Sequence, residues 1–216
     1  MAATGARAAI SEGFETGAAG WTSIDVAVTS LQSAAYTSAG TPNPVTHHAS
    51  GGNPGGYLSA ADPSGETFLF DAPPAFLGNL AAYAGGTLSY DVFYTPHYNE
   101  WRGDPDVILS NGTTTLFYLG TSNPGIDWTH FSVTLAPGAG WTVGTFGGTA
   151  ASAADFAAVL SSTTLLRIRA EYLADVAETT GLDNVTLTAV PEPGTWALLA
   201  AGLGLVGLSG ARRRSR

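Results

Sequence analysis

The densest chemistry in this chain is carboxylate. Glu100, Asp104 and Asp106 fall within the run Asn99-Glu100-Trp101-Arg102-Gly103-Asp104-Pro105-Asp106. A pair of carboxylates brought together by a fold is the machinery of glycoside hydrolysis, so an enzyme of that class is one reading; a solvated acidic loop is the other. The remaining catalytic types find little support. His47 and His48 are adjacent and on a strand would point to opposite faces, in a Pro/Gly-rich context that suggests a mobile loop. His97 and His130 are isolated, and neither HExxH nor Gly-x-Ser-x-Gly occurs. The chain has no Cys, which excludes a disulfide framework, a thiolate zinc site and a Cys nucleophile.

A second group of residues suits binding. Tyr98 and Trp101, with Tyr94 before them, put aromatic rings in or near one loop. Arg167, Arg169 and Glu171 alternate with Leu166, Ile168 and Ala170, so on a strand they share the polar face. Rings for stacking beside forks of hydrogen-bond donors suit sugars; the alternative is that the arginines pair with the abundant acids and solubilise the sheet.

Short period-two runs separated by Gly, Pro and Asn must position these groups. Ile24-Val26-Val28, Phe68-Phe70, Leu88-Tyr90-Val92-Tyr94, Val107-Ile108-Leu109, Leu116-Phe117-Tyr118-Leu119, Phe131-Val133-Leu135, Leu166-Ile168-Ala170-Tyr172 and Val185-Leu187 read as antiparallel strands with one face buried. About eight such strands predict an all-β, antiparallel jelly-roll β-sandwich. One short helix is expected where Ser152 and Asp155 form a capping box ahead of Phe156, Val159 and Leu160.

Composition narrows the class further. Charged residues are 12% of the 216, there is no Lys, and Gly numbers 28, a mixture of turn formers without helix-surface residues. Residues 1–189 carry sixteen acids against four arginines, whereas the tail carries Glu192 against four arginines. A body this acidic repels phosphate backbones, which argues against nucleic acid as a partner. It suits solubility outside the cell and cation binding.

The C-terminal stretch 190–216 is of a different kind. Pro191, Glu192 and Pro193 interrupt any preceding strand. From Thr195 to Ala211 seventeen residues carry no charge, which as a helix spans about 26 Å, at the short end for a hydrocarbon core. Trp196 stands at one end of that transmembrane helix and Arg212, Arg213 and Arg214 follow the other, which places the body on the outer side of the membrane. Val-Pro-Glu-Pro-Gly, the Trp-led apolar helix and the Arg cluster resemble the PEP-CTERM sorting signal of Gram-negative bacteria. That resemblance implies export, transient anchoring in the inner membrane, and processing by an exosortase-type enzyme, in proteins associated with extracellular polysaccharide or biofilm. Residues 1–10 lack an apolar h-region, but Ala6-Arg7-Ala8 resembles the small-residue end of a signal peptide, with the expected start lying upstream.

The body, residues 11–189, resembles the laminin B (laminin IV type A) domain. The resemblance is carried by Gly13-Phe14-Glu15 with Gly20-Trp21, Gly52-Asn53-Pro54-Gly55-Gly56-Tyr57-Leu58, Gly86-Thr87-Leu88-Ser89-Tyr90-Asp91, Leu166 to Tyr172 and Thr180-Gly181-Leu182-Asp183-Asn184-Val185. It implies a galactose-binding-like jelly roll and no catalysis. By analogy with that fold, a structural Ca²⁺ is expected between Glu15 and Asp183, with Asn53 contributing; the alternative is that both carboxylates merely cap turns. The chain is therefore expected to be an exported cell-surface or matrix protein whose β-sandwich binds exopolysaccharide or envelope components. The glycan-active enzyme with a carboxylate pair is the alternative.

Overall fold

The computed structural model describes residues 8–31, 39–98, 100, 103–138, 140–173 and 176–190. The sorting segment with its expected transmembrane helix (Pro191, Glu192, Pro193, Trp196, Arg212, Arg213, Arg214) and the loop residue Trp101 lie outside the described residues. Among the described residues no helix is long and apolar enough to cross a membrane.

Fourteen strands are described, more than the eight runs legible in the sequence. They are β1 (Ile10–Glu12), β2 (Thr22–Val26), β3 (Thr41–Asn43), β4 (Val45–Gly52), β5 (Gly55–Ala61), β6 (Thr67–Asp71) and β7 (Thr87–Thr95), followed by β8 (Val107–Ser110), β9 (Thr115–Tyr118), β10 (Thr129–Thr134), β11 (Trp141–Val143), β12 (Thr149–Ala150), β13 (Leu165–Arg169) and β14 (Thr179–Thr188). Sheet A runs β10-β7-β14-β5-β4, with β1 also on β14; sheet B runs β12-β11-β9-β8-β13-β6-β2-β3. Every pairing is antiparallel, as the period-two patterning requires.

The core lies between the sheets. Leu88, Tyr90, Val92 and Tyr94 of β7 face Phe68, Phe70, Leu166 and Ile168 in one buried cluster, so the alternation in these runs is the alternation of the pleat. β14 departs from it. Thr180 and Leu182 are buried before a register break between Asp183 and Thr186, and Val185 and Leu187 after it. The change from even to odd positions is the signature of one inserted residue, and Asn184 takes it up with φ +51°. Along the same edge, β5 pairs with Thr179–Leu182 and β1 with Val185–Leu187. A gap between β5 and β1 is left beside Asp183.

Two α-helices lie outside the sandwich. α2 (Ala153–Ser161) starts at the expected capping box, with the Asp155 amide donating to Ser152 Oγ at 3.2 Å and the Ser152 amide to Asp155 Oδ2 at 2.8 Å. The Ser152 hydroxyl and amide hold the Asp155 carboxyl below its ordinary range. α1 (Val28–Leu31) lies over the outward face of sheet B. There Val26 and Leu31 close a second apolar cluster with Leu69, Ile108, Phe117 and Leu165, against which Ile24 and Phe146 pack.

Candidate functional site

The gap beside Asp183 is filled by the turn of the β4–β5 hairpin, Gly52-Asn53-Pro54-Gly55. Glycine is required there twice. Gly55 holds φ +91°, and a Cβ on it would sit 2.1 Å from Glu15 Oε1. A Cβ on Gly52 would sit 2.7 Å from Asp183 Oδ2 and 2.2 Å from the Gly56 carbonyl. Two carboxylates from opposite ends of the chain thus pack directly on the hairpin backbone. Glu15 is aimed there by Phe14, which adopts φ +54° and whose amide donates to Glu12 Oε1 at 2.8 Å.

Hydrogen bonds lock the arrangement. Asp183 accepts from the Asn53 amide at 2.7 Å through Oδ2 and from the Asn184 amide at 2.7 Å through Oδ1. The Gly56 amide approaches Glu15 Oε2 at 3.4 Å. Behind them, Asp91 Oδ2 accepts from Asn53 Nδ2 at 3.1 Å and from Asn184 Nδ2 at 2.8 Å, and Asn184 Nδ2 also reaches the Asn53 carbonyl. His130 donates from Nδ1 to Asp91 Oδ1 at 2.6 Å, its side chain 62% exposed. Burial pushes the Asp183 carboxyl up; the two amides oppose that, and the charges of Asp91 and Glu15 add to it.

The structure therefore brings together all three residues of the expected Ca²⁺ site, Glu15, Asp183 and Asn53. It adds Asp91, Asn184 and His130, which sequence reading missed. The available signal for Asp91 was that it is the one charged residue of β7, on the polar side of the strand's alternation. The donor set is oxygen-rich and carboxylate-heavy, as Ca²⁺ demands, and Glu15 and Asp183 also cap backbone amides. Among the described residues no group of three or more Asp, Glu, His or Cys side chains is placed to hold a metal by itself. An ion here would need backbone and amide carbonyls for most of its shell.

The expected ligand face on sheet B is corrected. Arg167 and Arg169 lie opposite Leu166 and Ile168 as expected, but they are 1% and 0% exposed, because the apolar cluster around Leu31 and Phe146 covers that face. Arg167 Nε donates to Asp71 Oδ1 at 3.2 Å. Arg169 donates to Asp106 Oδ1 at 3.3 Å and to the Glu171 carbonyl, and its guanidinium lies 4.7 Å from the centre of the Tyr172 ring. They pair with acids, as the alternative reading of the sequence has it, but inside the body, so they do not solubilise the sheet. Asp104 and Asp106 are likewise buried, not a solvated loop, and Asp106 Oδ2 takes the Gly120 amide at 2.6 Å. Tyr94 is a core residue stacked 5.2 Å from Tyr172. Tyr98 is exposed. His47 and His48 lie on β4 rather than in a loop and do point apart: His47 Nε2 meets the Phe14 carbonyl at 2.8 Å and His48 faces outward.

Near Arg169 two further carboxyls, Glu171 and Glu178, are 5% and 3% exposed. Burial, reinforced by the charges of Glu178, Asp62 and Asp104, pushes Glu171 up to about 10 against the opposing Arg169. Burial pushes Glu178 up to about 7, although the Tyr172 and Leu173 amides donate to its Oε1 at 2.5 and 3.2 Å. Nearly sealed from solvent, neither carboxyl can reach a glycosidic bond as it stands.

Comparison with known proteins follows the same lines. The laminin B (Domain IV) family matches residues 69–199, and the PEP-CTERM protein-sorting motif matches residues 189–214. The L4b domain of human laminin alpha-2 superposes with a TM-score of 0.51 at 16% identity, over 61% of this chain and 80% of that domain. A family 11 carbohydrate-binding module from a cellulosomal cellulase of Clostridium thermocellum superposes with a TM-score of 0.51 at 12% identity, over 87% of this chain and 98% of that module. These likenesses show the fold. No curated protein matches the chain.

The buried pair gives a signed pH dependence. Unfolded, both glutamates release their protons near pH ~4.3; folded, they hold them to higher pH, so stability present in acid is lost as pH rises through the folded values. The urea midpoint is expected to fall between about pH 5 and about pH 8, more steeply in the wild type than in Glu171→Gln/Glu178→Gln. Equal slopes in the two proteins would contradict this assignment.

Proposed function

The chain belongs to the laminin B (Domain IV) family and carries a PEP-CTERM protein-sorting motif, and from that premise we propose that it is an exported surface or matrix protein of a Gram-negative bacterium. Its β-sandwich is a non-catalytic binding module for exopolysaccharide or envelope components. Its C-terminal segment anchors it briefly in the inner membrane until an exosortase processes it. The observation that carries this reading is the junction between body and tail. β14, at the centre of sheet A, ends at Thr188, Ala189 packs against the core, and Val190 is 51% exposed. Cutting at Pro191-Glu192-Pro193 leaves every described strand in place. A glycan-binding role is supported by the shared fold with a carbohydrate-binding module, and the enzyme alternative is disfavoured by the burial of Glu171 and Glu178.

Within this reading the Glu15, Asp183 and Asn53 cluster holds a structural Ca²⁺ that ties the first strand to the last. The ion supplies positive charge where Glu15, Asp91 and Asp183 converge; the residues themselves orient the β4–β5 turn and close the gap beside β14.

Two measurements check the proposal. Co-expressed with an exosortase, the wild-type chain is expected to lose its tail, whereas a variant with Pro191, Glu192 and Pro193 changed to Ala stays full-length in the membrane fraction; identical processing of both would overturn the sorting reading. At a hundredfold excess over Kd an ion contributes about 2.7 kcal/mol, so a chelator is expected to lower the melting midpoint by about 5–10 °C, with the difference absent in Asp183→Asn. A wild-type midpoint indifferent to the chelator would remove the ion.

A further inference from the structure

The two outward sheet faces are unlike. That of sheet B is roofed by α1 and Phe146. That of sheet A presents a row of half-buried rings. His48 lies opposite Tyr57 across β4 and β5, Phe93 lies opposite Gly181 across β7 and β14, and Trp128 stands immediately before β10. His48 and Tyr57 stack with centroids 4.3 Å apart and planes 10° apart. Trp128 stands edge-on to Tyr57 at 5.4 Å and to Phe93 at 4.6 Å.

These rings are held before any ligand arrives. A Cβ on Gly181 would meet Phe93 Cε1 at 2.1 Å, so the Phe93 ring lies flat on bare backbone where any other residue would lift it. Trp128 Nε1 donates to the Gly51 carbonyl at 3.0 Å, and His48 Nε2 meets Ser59 Oγ at 2.9 Å. A platform of two-torsion side chains already fixed in place loses little entropy on binding.

What such a platform takes is decided by its border. Asp91, opposite His130 on the adjoining row, fixes the exposed imidazole, and the Asn53 and Asn184 amides lie beside it. Rings edged by hydrogen-bonding groups match a pyranose, which has apolar C–H faces and hydroxyl edges. Charge then excludes part of that class. Glu15, Asp91 and Asp183 are acidic, the chain has no Lys, and the described arginines of the strands, Arg167 and Arg169, are buried on sheet B. With the proposed divalent ion in place the three carboxylates still leave a formal negative charge, and the described residues of this face include no Lys or Arg, so uronates, sulfates and phosphates find no basic side chain to pair with here.

We infer that the outward face of sheet A around Tyr57, Phe93 and Trp128 is the binding face and takes neutral sugar chains; this rests on the glycan-binding role proposed above.

Native affinity electrophoresis of the full chain in gels containing galactomannan, a soluble β-glucan, dextran or polygalacturonate tests it. Retardation by at least one neutral polysaccharide is expected, and none by polygalacturonate. Tyr57→Ala and Trp128→Ala should each weaken binding about tenfold, equivalent to ~1.4 kcal/mol, while Trp128→Phe, which keeps a ring, retains most of it. The Trp128 pair carries the test if Tyr57→Ala does not fold. Retardation by a neutral polysaccharide that both alanine variants leave intact overturns this face and leaves the binding role standing. Retardation by polygalacturonate alone overturns the chemistry. No retardation in any gel overturns both. Self-association abolished by Trp128→Ala, with no glycan binding, would make the face a contact between copies instead.

Discussion

The structure depends on a change of partner along one edge of β14. Up to Leu182 that edge belongs to β5, and from Val185 to β1. Alternation with Leu182 points Asp183 outward, and the inserted residue after it returns Val185 and Leu187 to the core. A gap in a sheet exposes backbone amides that must find partners, and here the Asp183 carboxylate supplies them, taking the amides of Asn53 and of its own neighbour Asn184. The hairpin that fills the gap can do so only because it is nearly bare backbone at Gly52 and Gly55. Residues 13–15, 52–56, 91, 130 and 183–184 are thereby joined in one network. The body is closed on itself before the sorting motif begins.

Charge is distributed to the same end. An acidic body with two described arginines could have set them on the surface. Instead both lie under the roof of sheet B, against Asp71 and Asp106, where a buried cation would be costly without a partner. The acids left over near Arg169, Glu171 and Glu178, are pushed by burial toward their neutral forms. The middle of sheet B is closed by these means. Among the described residues sheet A keeps its outward face open, and there the aromatic row and the His130 imidazole, held by the buried Asp91, meet solvent.

Legibility in the sequence followed the physics of each element. β7, β8 and β9 were readable because their apolar side chains bury against a regular pleat, and α2 because its capping box is local. β4 and β5 were not: Val45–Gly52 holds two His and two Gly, and its strand character comes from register with β5 and not from propensity. The first half of β14 was hidden by the bulge, which breaks the alternation a period-two reading relies on. Of the acidic network, Glu15, Asn53 and Asp183 came through family resemblance, whereas Asp91, Asn184 and His130 depend on strand neighbours up to about a hundred positions away. Alternation placed Arg167 and Arg169 on the correct side of β13; nothing local showed that Leu31 would cover that side. The aromatic row escaped for the same reason, since His48, Tyr57, Phe93 and Trp128 become neighbours only when sheet A forms.

Binding through sheet A and not through sheet B is read directly by the indole N–H signals of the protein. Trp128 sits on the open face, while Trp21 and Trp141 are 1% and 2% exposed. Titrated by NMR with a neutral oligosaccharide that retains the protein, the Trp128 signal is predicted to move while those of Trp21 and Trp141 stay. Saturable binding that leaves the Trp128 signal in place would contradict the account.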